Sequence, residues 1–499
     1  MAENAIQRSY RAPCPGCGAP VEFRSAQSTH AVCGYCQSTV VRNGETLLRI
    51  GKMAELFDDH SPLQLMASGR WQDKAFTLVG RLQYRSGSGS WTEWNALFDD
   101  GSTACLGEDN GAYVMSLPAT LQRALPQAAQ FRVGATTAIG GKPFSVASND
   151  QVVLVSAQGE LPRLPPLDQP FAAVELRSAE GDVISIDYGV QPAAVSRGQA
   201  VLLDDLKLAG LRDESAKEER GVRQFACPNC GAQVKVALAT SKSVTCSACH
   251  SLIDLSQGVG GELAHAVQGE EVQPLIPLGT TGQLQGAQWQ VVGFQHRMGT
   301  ELEDPDEQFG WSEYLLYNRK RGFSFLVDAE DGWSVVKPAT GAPTLDAGGQ
   351  SAVYLGTTYR HQYSYKAETV YVAGEFYWPV MRGQTSFNRD FAKGGSLLSM
   401  EQTPQEITWS SGSKIDSGAV AKAFKLDAQK DLLKRSDAGP TTSGTSGVGC
   451  GTLIVIFVVV LLLLLLIRAC DDDGNRSSGG GSSTRGGSYG GYSSGGGHK

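Results

Sequence analysis

The chain of 499 residues has few histidines, seven in all, and no excess of positive charge, with 43 Lys and Arg against 51 Asp and Glu. A formal charge of -8 argues against a dedicated nucleic-acid binder, which needs a basic face for phosphates. Outside the low-complexity Gly/Ser tail there is no G-x-S-x-G, and there is no P-loop and no H-E-x-x-H, so the commonest hydrolase, nucleotide and metalloprotease signatures are excluded. The opening stretch MAENAIQRSYRAPC has no apolar run, so no secretory signal is expected. Helical periodicity is scarce, which disfavours an all-α chain. Cysteine is scarce outside two short phrases: of eleven, only Cys105, Cys450 and Cys470 lie elsewhere.

Those phrases are CPGCGAPVEFRSAQSTHAVCGYC and CPNCGAQVKVALATSKSVTCSAC, each with the spacing C-x2-C-x15-C-x2-C. Two short knuckles of this kind can each present two thiolates to one tetrahedral ion. Cys14, Cys17, Cys33 and Cys36 are therefore expected to bind one structural zinc, and Cys227, Cys230, Cys246 and Cys249 a second. Gly18 and Gly231 follow the second cysteine, where a knuckle needs a positive φ. The rival reading is a redox C-x-x-C, which normally sits singly at the start of a helix. A shell filled by four protein ligands leaves no position for water, so the signal points to structure rather than catalysis. Thiolates kept for metal also imply a reducing cytosol. Inside the phrases the basic side chains besides His30 are Arg24, Lys235 and Lys242, too few for phosphate binding, so a nucleic-acid-binding regulator is the weakest reading.

The offset of 213 from Cys14 to Cys227 also carries Gly69 onto Gly282 and Leu78-Gly80 onto Val291-Gly293. A whole unit is therefore duplicated. After an insertion containing ELEDPDEQ, SWTEW (90–94) matches GWSEY (310–314), and DGSTACLGEDNGAYV matches RGFSFLVDAEDGWSV. Aromatic and β-branched runs broken by glycine turns make these stretches strands. The expected architecture is mainly β, with two tandem units of zinc ribbon plus antiparallel β domain. The boundaries are ribbon 12–50, β domain 55–205, helical linker 206–224, ribbon 225–256 and β domain 275–415. A juxtamembrane helix at 417–436, a transmembrane helix at 448–467 and a disordered Gly/Ser tail at 468–499 complete the chain.

The strand ending in glycine, then W-[TS]-E, then a glycine-turned hairpin, resembles the bacterial family named domain of unknown function 4178, here in two copies over 55–205 and 275–420. That resemblance implies no activity and supplies no catalytic residues. It carries one hint of pathway, an association with polyamine-type metabolism. A duplicated active site should keep its acid, base or nucleophile in both halves, yet His30 and His60 fall on Ser243 and Gln273, His296 on Gln83, and Cys105 on Leu326. The clearest shared charge is Glu93 with Glu313, two residues after Trp91 and Trp311. Such a carboxylate could act as a general acid or hold a small ligand. In a strand it is more often the polar partner of a buried aromatic, so the chain reads as a non-enzyme.

Residues 448–467, VGCGTLIVIFVVVLLLLLLI, hold no charge and match a bilayer core in length as a helix. Lys422, Lys425, Lys430, Lys434 and Arg435 precede them, which favours a cytosolic bulk and an external tail. The expected protein is thus a single-pass inner-membrane binding or scaffolding module. Its partners are the bilayer and a protein partner or a second copy of itself, brought together by two similar surfaces on one chain.

Overall fold

The computed structural model describes residues 10–435 apart from 44–45, 54–60, 87–88, 110–111, 122–123, 213–222, 239–240, 256–262, 270, 303–305, 307, 319–320 and 405. Each unit opens with a small ribbon. In the first, Tyr10–Pro13 pairs with Pro20–Phe23, and His30–Val32 with Ser38–Asn43. The second repeats this with Arg223–Ala226 on Gln233–Val236 and Ser243–Thr245 on Leu252–Asp254.

The β domains are closed barrels. In the first unit Lys74–Arg85, Ser90–Phe98, Thr103–Asp109 and Ala112–Pro118 form one meander. Lys142–Leu161, Pro170–Arg177, Asp182–Asp187 and Ala194–Val201 form another. Ala112–Pro118 pairs with Ala194–Val201, and Lys142–Leu161 pairs with Lys74–Arg85, so the ring closes antiparallel throughout. The second unit closes identically. Ala287–Glu301, Gln308–Asn318, Gly322–Ala329 and Gly332–Pro338 meet Thr357–Phe376, Thr385–Lys393, Ser396–Gln402 and Ile407–Ile415 through the pairs of Gly332–Pro338 with Ile407–Ile415 and Ala287–Glu301 with Thr357–Phe376. Eight strands enclose an interior just wide enough for side chains or one small ligand.

Closure depends on glycine. Gly159 has φ 75° and Gly374 φ 86°, a region costly for residues with a Cβ. A Cβ there would also collide with the carbonyl oxygen of Val79 or Val292 on the partner strand. On the outer face, Leu78, Trp94, Ala96, Leu106 and Met115 cluster with Leu63, Ala67 and Leu206 from flanking loops. In the second unit Val420, Phe424 and Leu433 cover the equivalent face beside Leu284 and Trp333. Burying each such large side chain contributes about 1.5–3 kcal/mol.

Several expectations are corrected. The helical linker 206–224 is not helical where described: residues 203–207 form turns that bury Leu206 against the barrel, and 213–222 lie outside the described residues. The helix expected over 417–436 spans only Ser417–Ala423. It stops because Phe424 turns onto the outer face of the barrel and Lys425 takes φ 59°, closed by Leu426 N–H to the Ala421 carbonyl at 2.8 Å. Among the described residues no helix is long and apolar enough to cross a membrane. This overturns the expectation of a single-pass inner-membrane protein with cytosolic bulk and external tail. Residues 448–467 and the tail 468–499 lie outside the described residues. The flanking cations belong instead to a segment docked on the second barrel, where Arg435 meets Asp328 at 2.7 and 2.8 Å.

Candidate functional site

The two cysteine phrases fold into two compact clusters. In each, all four Sγ atoms lie within 4.8 Å of one another. Cys14 and Cys36 are 3.7 Å apart, as are Cys17 and Cys33. Cys227–Cys249 and Cys230–Cys246 repeat this at 3.7 and 3.8 Å. A disulfide would bring two sulfurs to about 2.05 Å. A tetrahedral ion with bonds of about 2.3 Å holds them roughly 3.8 Å apart. These residues therefore fit a metal ion.

Each knuckle is a tight backbone turn. Gly18 N–H donates to the Cys14 carbonyl at 2.8 Å with φ 78°, and Gly231 does the same to Cys227 at 2.9 Å with φ 75°. The second knuckles use Gln37 and His250, both at φ 57°, which sequence reading missed because neither is glycine. Electrostatics differ within a cluster. Hydrogen bonding from Ser38 draws the Cys36 thiol down to about 6, and Ser251 with Asn229 draws Cys249 down to about 5. Cys17 is pushed up to about 12: its backbone bond at Ala19 works against the rise, but Cys36, burial and the other thiols outweigh it. Four adjacent sulfurs cannot all ionise without a cation among them.

Ribbon and barrel are joined by a carboxylate that sequence comparison also missed. Glu160 accepts from Arg24 N–H at 2.7 Å and Ser25 N–H at 3.1 Å. Glu375 accepts from Ala237 N–H at 2.8 Å, Leu238 N–H at 2.9 Å and the Ser241 hydroxyl at 2.7 Å. Their separation of 215, not 213, hid the match. His30–Val32 and Ser243–Thr245 then pair with the long barrel strands beside these carboxylates.

The barrel interiors hold the remaining polar chemistry. Register gives the correspondences: Tyr84 pairs with Trp91 as Arg297 pairs with Trp311, so Glu93 and Glu313 are equivalent, as expected. Asp187 opposes Ala194 as Glu401 opposes Thr408, and Glu175 lies opposite Ser185 as Asp390 lies opposite Ser399. Three acidic positions are thus shared, two of them invisible to a constant offset. Cys105 opposes Asn95 as Phe325 opposes Leu315, which moves its counterpart from Leu326 to Phe325.

The interior of the second barrel holds a buried charge cluster. Arg297, 1 % exposed, lies 3.3 and 3.4 Å from Glu401, 2.8 Å from the Ser386 hydroxyl and 3.8 Å from Glu313. Glu313 also accepts from Trp311 Nε1 at 2.6 Å and Gln295 Nε2 at 2.5 Å. Burial pushes Glu313 up to about 7 against the pull of Arg297. In the first barrel Tyr84 stacks on Trp91, with ring centroids 5.2 Å apart, and a cavity of 370 Å³ remains. Glu93, Asp187 and Cys105 line it, and Arg163 lies 3.5 Å from Asp187.

No curated protein and no solved structure matches the chain. The family described as Domain of unknown function (DUF4178) matches residues 65–202 and 277–417, which are the two barrels. With more than half its length so matched, each copy behind a four-cysteine cluster, the chain belongs to that family in duplicate.

Proposed function

We propose that the chain is a non-catalytic binding module: two metal-stapled barrels, the first holding a small ligand and the second closed by its own side chains. The contrast between the two interiors carries this reading. One fold encloses a 370 Å³ cavity in the first unit and a buried Arg297–Glu313–Glu401 cluster in the second. Had the interiors served only as cores, both would be expected to fill, because empty space costs stability.

Zinc is the metal that four thiolates at tetrahedral spacing favour. Cys14, Cys17, Cys33 and Cys36 would hold one ion and Cys227, Cys230, Cys246 and Cys249 the other. With every position taken by protein, the ion supplies folding energy rather than an activated water. Glu93 faces the cavity, whereas Glu313 is 1 % exposed, which favours a ligand-holding carboxylate in the first barrel and a structural one in the second.

The test is titration of the full-length chain with prodan, a neutral naphthalene dye whose emission reports apolar surroundings. The expected result is saturable binding of one dye per chain. It should disappear when Cys105→Phe and Ser148→Tyr install the side chains found at the equivalent positions, Phe325 and Tyr363. Circular dichroism and zinc content should not change. Absence of saturable binding, or binding that survives the filling, would overturn the proposal.

A further inference from the structure

We infer that the interior of the first barrel is a site for an organic cation, a guanidinium or ammonium group carried on an apolar body. The inference rests on reading the chain as a binding module and names what that module takes. It starts from the second barrel, which contains such a group of its own. Arg297 stands 5.6 Å over the Trp311 ring while its two terminal nitrogens meet Glu401 and Ser386, with Glu313 at 3.8 Å. An aromatic face and carboxylates around one guanidinium are the elements of a cation site.

In the first barrel those surroundings recur, but the position of Arg297 carries no guanidinium, and Arg163 reaches Asp187 from the loop at 3.5 Å. Trp91 stands for Trp311, Glu93 for Glu313 and Asp187 for Glu401. Tyr84 occupies the Arg297 position and lies flat against Trp91, with 21° between the ring planes. Cys105 replaces Phe325, and Ser148 replaces Tyr363, opposite Glu175 and Asp390 respectively. The cavity is therefore lined by the counterparts of the groups that surround Arg297.

Charge follows the same logic. Glu93, Glu175 and Asp187 line the interior together with Arg163, which lies 3.5 Å from Asp187 and also interacts with Glu93 through its charge. Arg177 bonds Glu175 and turns to the Ala339 carbonyl of the second unit at 3.3 Å. A ligand cation placed between Glu93 and Asp187 would join Arg163 among the carboxylates, as Arg297 sits between Glu313 and Glu401 next door. Small-molecule sites run from about 300 to 1,000 Å³, so a cavity of this size suits a ligand on the order of a dozen non-hydrogen atoms.

Calorimetric titration of the full-length chain with three probes tests this: phenethylguanidinium, phenethylammonium and the neutral 2-phenylethanol. One cation or both should bind at one per chain, at least about tenfold tighter than the alcohol. Which of the two is tighter identifies the headgroup. Glu93→Gln should weaken cation binding about tenfold and leave the alcohol unchanged. Tyr84→Arg, which installs the second barrel's own cation, should abolish cation binding. If either variant fails to fold, the comparison of cations with the alcohol on the unaltered chain still decides. Equal affinity for all three probes, or prodan binding without cation binding, would overturn the cation site and spare the binding module. Loss of both prodan and cation binding would overturn both.

Discussion

At the scale of residues, Asp390 shows how burial and charge trade against each other. Its carboxyl is 3 % exposed and accepts from the Tyr365 hydroxyl at 2.9 Å and from Ser399. Burial pushes it up to about 7, well above the roughly 3.9 of an unfolded aspartate. A raised folded value means that the folded state holds a proton the unfolded chain has released. The stability contributed by this group is therefore full below about pH 4 and is lost as pH rises to about 7, at up to about 1.4 kcal/mol per pH unit. Asp390→Asn should flatten that decline in urea unfolding measured across this window. An unchanged slope would show that Asp390 is ionised throughout. The ribbon clamps make a second residue-scale prediction. Glu375→Gln weakens three hydrogen bonds to a charged acceptor, each worth about 1.5–3 kcal/mol, so unfolding free energy should fall by at least about 1.5 kcal/mol. Metal content should stay the same, because Glu375 touches no cysteine cluster.

At the scale of elements, the crossing of long strands is the most sensitive point. Gly374→Ala places a Cβ at φ 86° and against the Val292 carbonyl, which should cost about 1–3 kcal/mol and lower the melting temperature. A neutral effect would mean that the strands separate there. Cys246→Ser should remove one metal ion of two and release the protection of Arg223–Ala226 and Gln233–Val236 in hydrogen exchange, while the first ribbon keeps its own. Such elements were legible to different degrees. Cysteine spacing gave the ribbons, and the matched W-[TS]-E strands gave the hairpins, because both are local patterns. Closure of Lys142–Leu161 on Lys74–Arg85 was not legible, since pairing between distant strands leaves no mark in a short window. The terminal helix reads longer in the sequence than it is, because its lysines keep helical spacing past Phe424, where packing on the barrel ends it.

At the scale of the whole molecule, duplication kept the scaffold and changed the interior. Sequence comparison found Glu93 and Glu313 but not Asp187 with Glu401 or Glu175 with Asp390. The offset drifts from 213 at Tyr84 and Arg297 to 220 at Trp91 and Trp311 and then to 215 at Glu175 and Asp390, as loops of different length intervene. The difference between Tyr84 and Arg297 was visible in the alignment but had no meaning until alternation along closed strands placed both inside. The units also touch: Ala342 N–H donates to the Ser178 carbonyl at 3.0 Å and Leu355 N–H to Ala179 at 2.8 Å. The molecule reads as one scaffold built twice, with two metal sites and one open interior. Native mass spectrometry of the full-length chain, equilibrated with zinc and prodan, provides the test. Two zinc ions and a single organic adduct per chain are expected, the adduct lost and both ions kept in the Cys105→Phe, Ser148→Tyr variant. Two adducts, none, or a chain without zinc would contradict it.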